Sequence, residues 1–157
     1  DAASFGLVTL ASQLVGTVVW GEVTARTGRP WFLVIGPTIG ALGAAGAAIA
    51  GTVVALYPTF MVAGAAFAAQ LMCDMSIPIQ LAERAGRPRG RYVAAYSTLI
   101  IPFSISAPIV GGLLAGSSGF VAVDLTAIVA YCIAAATGAS FVRLLHQSPA
   151  APREASP

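Results

Sequence analysis

The chain has 157 residues, is 57% hydrophobic and only 9% charged, and carries a formal net charge of +2. Its mean hydropathy is +0.85, whereas soluble domains carry about 25% charged residues. That composition excludes an ordinary water-soluble domain, and so small an excess of positive charge gives no reason to expect nucleic-acid binding.

Charge is confined to short stretches. Arg26 and Arg29 form one cluster, Arg84, Arg87, Arg89 and Arg91 a second, and Arg143 and Arg153 flank the C-terminal tail. There is no lysine, and residues 31–73, 92–123 and 125–142 contain no charged side chain. A bilayer is crossed by roughly 20 apolar residues in a helix, because backbone polar groups in hydrocarbon must pair within the segment. The 31–73 run is too long for one such helix and is expected to fold back, with Gly51-Thr52 or Tyr57-Pro58 as the bend.

The chain is therefore predicted to be an all-α membrane protein, with a bundle over 1–146 and a disordered cytoplasmic tail over 147–157. Five transmembrane helices are expected, at about 4–20, 31–51, 55–76, 92–115 and 120–142. The loops after the first, third and fifth spans hold every arginine, which places them in the cytoplasm and the N-terminus outside. Trp20 and Trp31 flank the first of these loops as interface anchors. An odd number of spans and a first residue that is not Met lead us to expect a piece of a larger protein. The absence of lysine beside abundant Ala, Gly and Arg fits a GC-rich bacterial coding sequence, hence a bacterial inner (cytoplasmic) membrane.

Small residues at Gly36, Gly40, Gly43 and Ala47, and again at Gly111 and Ala115, have the spacing that lets helices approach closely. Pro102 and Pro108 interrupt the fourth span and predict a kink there. Such a kink either lines a cavity or is purely architectural.

The first arginine loop reads Gly21-Glu22-Val23-Thr24-Ala25-Arg26-Thr27-Gly28-Arg29-Pro30. It resembles the loop signature of the major facilitator superfamily, Gly-x-x-x-Asp-Arg-x-Gly-Arg-Arg, with matches at Gly21, Arg26, Gly28 and Arg29. Ala25 replaces the acid and Pro30 the last basic residue. Gly21 and Gly28 would permit a tight turn between antiparallel helices. The degenerate form looks like the second copy of the signature, so the five spans would correspond to helices eight to twelve, a partial major-facilitator-type bundle. Ala107-Pro108-Ile109-Val110-Gly111-Gly112 resembles the Pro-x-x-Gly-Gly of helix eleven. It also resembles the end of the antiporter motif of helix five, although Ala94, Phe103 and Ala107 stand where that motif has glycine.

The resemblance implies a secondary active transporter working by alternating access, with the N-terminal half of the same protein, the lipid bilayer and a small-molecule substrate as its partners. Proton-coupled efflux is the implied mode, and the scarcity of intramembrane charge argues for a neutral, amphipathic or apolar metabolite or drug. Asp74, Gln70, Gln13, Ser104 and Ser106 are the expected substrate or proton-pathway residues. Asp74 has two readings: an intramembrane proton carrier, or an interfacial group that caps its helix or pairs with Arg26 or Arg84. Asp124 is expected as a charge at the start of the last span. Glu83, Arg84, Arg89 and Arg91 are expected at a cytoplasmic gate, and Glu22 and Glu83 as ion-pair partners of loop arginines. Cys73 and Cys132 read as small buried hydrophobes. Because the chain has no Ser-His-Asp grouping, phosphate loop or His/Cys metal spacing, no enzyme activity, cofactor or metal is expected. The alternative function is that of a five-helix structural or assembly subunit in a membrane complex.

Overall fold

A computed structural model describes residues 2–27 and 31–147. Gly28, Arg29 and Pro30 of the loop signature, and the tail beyond Gln147, lie outside the described residues. Five α-helices account for nearly all of the rest: α1 (Ala2–Thr27), α2 (Phe32–Ile49), α3 (Val53–Arg84), α4 (Arg89–Ser118) and α5 (Phe120–Gln147). Each is long and apolar enough to cross a membrane. The chain is an all-α, multi-pass membrane protein in its architecture, with the apolar surface that lipid contact requires.

Four of the expected spans fall inside longer helices, whereas α2 is slightly shorter than the expected 31–51. Gly21 lies within α1 and not in a turn, and nothing stands within 4 Å of where its Cβ would be. The turn role expected for it is therefore not realised. Of the two bends considered between the second and third spans, Gly51-Thr52 is the one formed. Thr52 is extended, and its side chain accepts a hydrogen bond from the Ala55 N–H as the N-cap of α3. Tyr57-Pro58 is inside the helix, as is Pro78. At 1.5 Å per residue α3 is about 48 Å long, well beyond a hydrocarbon core of about 30 Å.

α3 ends in a glycine motif that composition alone did not single out. Gly86 has φ +59°, its N–H donates to Glu83 O and the Arg87 N–H donates to Ala82 O. This is the paired-bond arrangement of a Schellman cap, which favours glycine at the left-handed position. Replacing Gly86 with alanine is expected to cost about 1 kcal/mol, read as a lower unfolding temperature in detergent with the helix content preserved. Gly119 ends α4 differently: at φ +82° and ψ 170° it is extended on the positive-φ side, and its N–H donates to Ala115 O.

Close approaches fix the helix directions. Gly64 of α3 meets Thr9, Ser12 and Gln13 of α1, while Gly16 of α1 meets Ala65 and Ala68 further along α3. α1 and α3 are therefore parallel. Gly36 lies on Ala69, Gly43 on Val62 and Gly46 on Thr59, so α2 is antiparallel to α3. Gly40 lies on the Tyr131 ring and Gly138 on Leu33, so α5 is antiparallel to α2. Arg26, Arg84, Arg89 and Arg143 consequently share one end of the bundle.

The expected stripe on α2 is buried at Gly36, Gly40 and Gly43. A Cβ on Gly36 would stand 2.7 Å from that of Ala69. Phe32, Ala69 and Cys73 form the core, with Trp20, Leu33, Met72 and Ile77 packed around them. Trp20 is not simply an interface anchor: its Nε1 donates to Ala65 O at 3.0 Å, tying α1 to α3. Ser12 Oγ makes a second tie to Met61 O.

α4 differs from the other helices. It packs mainly on α3 and α5 and buries none of its residues. Gly111 and Gly112 face open space, so the small-residue spacing at Gly111 and Ala115 is not used for packing between these helices. Pro102 and Pro108 lie inside a continuous helix in which every residue from 101 to 110 is exposed.

Candidate functional site

The chemistry gathers where α3 and α4 face each other. Asp74 is ten residues, about 15 Å, before the last residue of α3. Gln70 lies one turn earlier on the same face, and its Nε2 donates to Asp74 Oδ1 at 3.0 Å. From α4 the Tyr96 hydroxyl donates to the same oxygen at 2.7 Å. Pro78 contributes from below. It is fully buried, and as a proline it removes the N–H that would otherwise bond the Asp74 backbone carbonyl.

The α3–α4 turn sets this register. Glu83 Oε1 accepts from Arg89 Nη2 at 2.6 Å across the Gly86 cap, which holds the end of α3 against the start of α4. Tyr96 then stands seven residues, about 10 Å, into α4, close to the level of Asp74. The other expected gate residues, Arg84 and Arg91, lie at the same end, with Arg91 exposed. Arg26 pairs with Glu22 at 2.8 Å within α1, so its cation is engaged away from Asp74. Both ion pairs are more than half exposed, where such pairs contribute about 0–1 kcal/mol. Glu83→Gln is accordingly expected to change unfolding stability by less than about 1 kcal/mol, checked by thermal unfolding in detergent.

Gln70 and Tyr96 also line an open cavity of about 380 Å³ bordered by α2, α3, α4 and α5, with Gln70 and Thr137 exposed at its edge. Leu33 and Pro37 form its α2 wall, Cys73 and Ile77 the rest of its α3 wall, and Ala134, Thr137, Gly138 and Phe141 its α5 wall. A cavity of this size is within the range that holds small molecules. Its wall is largely apolar, with polar groups only from Gln70, Tyr96 and Thr137, besides the Cys73 thiol.

The remaining expected pathway residues are elsewhere. Gln13 is on α1, and its backbone carbonyl accepts from Thr17. Ser104 and Ser106 are exposed on α4 and bond back to Ile100 O and Phe103 O of their own helix. Asp124 is past the first turn of α5 and lines a smaller cavity of about 230 Å³ near the opposite end, with Gly40, Thr59 and Tyr131. Cys73 is buried as expected, whereas Cys132 is exposed on α5. Tyr96 was not anticipated. Its only signal is a phenol on the face of α4 that a short turn returns towards Asp74, and that register is visible only once α3 is seen to continue to Arg84.

Among the described residues no group of three His, Cys, Asp or Glu side chains is placed to hold a metal ion. The fold and the cavity define a multi-pass helical membrane protein with an open cavity whose Gln70 and Tyr96 bond an acid, Asp74. No family model, no curated protein and no solved structure matches this chain.

Proposed function

We propose that the chain is the C-terminal part of a secondary active transporter resembling the major facilitator superfamily, and that it moves a small, largely apolar molecule by alternating access. The observation that carries this reading is the Asp74–Gln70–Tyr96 group beside a cavity walled by four candidate spans. An intramembrane carboxylate is costly and is kept for a pathway or a proton relay. One that is held by donors from two different helices can report its protonation state as a change in helix packing. That is what proton-coupled efflux requires, and it supports Asp74 as the coupling acid. Glu83 and Arg89 would then hold one arrangement of the cytoplasmic end. The arginine end faces the cytoplasm of a bacterial inner membrane in this reading.

A subunit of a larger membrane complex is the second reading, favoured by the wholly unburied surface of α4. Detection of the native protein in its own membrane through residues 147–157 separates the two. The transporter reading expects a species longer by roughly 200–250 residues, enough for seven further spans and their loops. A species near 15.8 kDa would overturn it in favour of the subunit. Orientation is tested separately by single cysteines at positions 87 and 118. The first is expected to react only from the cytoplasmic side, the second only from outside.

A further inference from the structure

The hydrogen-bond directions around the cavity select the chemistry of its occupant. The single hydroxyl hydrogen of Tyr96 is directed to Asp74, and that of Thr137 to the Ile133 carbonyl at 2.8 Å. Both hydroxyls therefore offer the cavity oxygen lone pairs and no hydrogen. Gln70 commits one N–H to Asp74 and keeps its carbonyl oxygen, with a single amide hydrogen left over. Acceptors thus outnumber donors on the polar wall.

The formal charge behind this wall is negative. Asp74 touches two of the three polar lining groups, and among the described residues no Arg or His lines the cavity. The rest of the wall is apolar, with Phe141 and the Tyr96 ring supplying aromatic faces that attract cations. An anionic ligand would meet lone pairs and a carboxylate, and a plain hydrocarbon would leave the acceptors unsatisfied.

Resting on the transport reading above, we infer that the cavity between α2, α3, α4 and α5 binds a small apolar amine as its ammonium ion. The N–H groups of the ammonium point at Tyr96 Oη, the Gln70 carbonyl oxygen and Thr137 Oγ1, and its hydrocarbon part lies against Leu33, Ile77 and Phe141.

The test is equilibrium binding to the purified full-length protein in detergent, by titration calorimetry. The probes are 2-phenylethylamine, 3-phenylpropan-1-ol and 3-phenylpropanoate, three molecules of similar size and different head group. The amine is expected to bind at least roughly tenfold more tightly than the alcohol, and the carboxylate not measurably, as hydrogen bonds to charged groups differ from neutral ones by about that factor. Asp74→Asn and Tyr96→Phe are each expected to weaken the amine by roughly tenfold, with unfolding temperature as the folding control. If Asp74→Asn does not fold, Tyr96→Phe decides. Equal binding of the three probes, tighter binding of the carboxylate, no amine binding to folded wild type, or amine affinity unchanged in a folded variant would each overturn the inference. Binding needs no flux, so the two readings fail separately. Amine binding without transport of any solute in liposomes would overturn the transport reading alone. Asp74-dependent flux of a solute without a donor, with no amine binding, would overturn this inference alone.

Discussion

Gly64→Leu is expected to separate α1 from α3 and to produce the largest loss of stability of any single substitution considered. A Cβ at position 64 would collide with the Thr9 carbonyl oxygen, and would stand 2.9 Å from Ser12 Cβ and 3.1 Å from the Gln13 nitrogen. Two of those three atoms are α1 backbone, so no rotamer change relieves the clash and the helices must move apart. In lipid, close backbone approach replaces the hydrophobic drive between helices. Separation therefore also endangers the Trp20–Ala65 and Ser12–Met61 ties. Overpacking of this kind costs about 1–3 kcal/mol and sometimes more. Gly64→Ala should give the lower end of that range, because alanine recovers about 1 kcal/mol of helix propensity. Denaturation with a graded detergent series measures both. Gly111→Ala is the internal control: with nothing within 4 Å of its Cβ, it should be neutral or slightly stabilising. A Gly111→Ala as damaging as Gly64→Ala would mean that α4 packs on something these helices do not supply.

The contrast between Gly64 and Gly111 shows how far a sequence of this kind is legible. Span number and rough extent follow from bilayer thickness and the positions of charge, two constraints that act on each segment alone. The α2 stripe at Gly36, Gly40 and Gly43 is also readable, since close spacing along one helix is a local property. Whether a stripe meets a partner is not local. Gly111 and Ala115 have the same spacing, but their helix lies at the edge of the bundle. Gly16, Gly64 and Gly138 are isolated in sequence, and each is required only because a particular neighbour crosses there.

The candidate site divides the same way. Asp74 and Gln70 are one turn apart on one helix, so their proximity needs no tertiary knowledge. Tyr96 depends on the length of α3 past Pro78, on the Gly86 cap and on the Glu83–Arg89 contact, which together set where α4 starts. Ending the third span at about residue 76 hides that register, because α3 runs on through Pro78 to Arg84. Ser104 and Ser106 stand apart from this group for a related reason: on a helix without buried residues, their hydroxyls bond to their own backbone.

The transport reading makes its sharpest demand on Asp74 and Tyr96 together. In the full-length protein reconstituted with an imposed proton gradient, Asp74→Asn is expected to reduce coupled flux to near background. The amide retains the shape and one acceptor oxygen but carries no exchangeable charge, so a proton cycle through this position stops while packing is largely kept. Tyr96→Phe removes only the 2.7 Å donor, a hydrogen bond to a charged group worth about 1.5–3 kcal/mol. It should slow flux by roughly ten- to a hundredfold without abolishing it. Solute counterflow, which needs substrate exchange but no net proton movement, distinguishes the two roles. An acid that only couples protons leaves counterflow intact in Asp74→Asn, whereas an acid that also organises the cavity lowers counterflow and net flux together. With Asp74 bonded to two of the cavity's polar lining groups, the second pattern is expected. Full proton-coupled flux in Asp74→Asn would remove this acid from the mechanism and leave the five-helix fold as it stands.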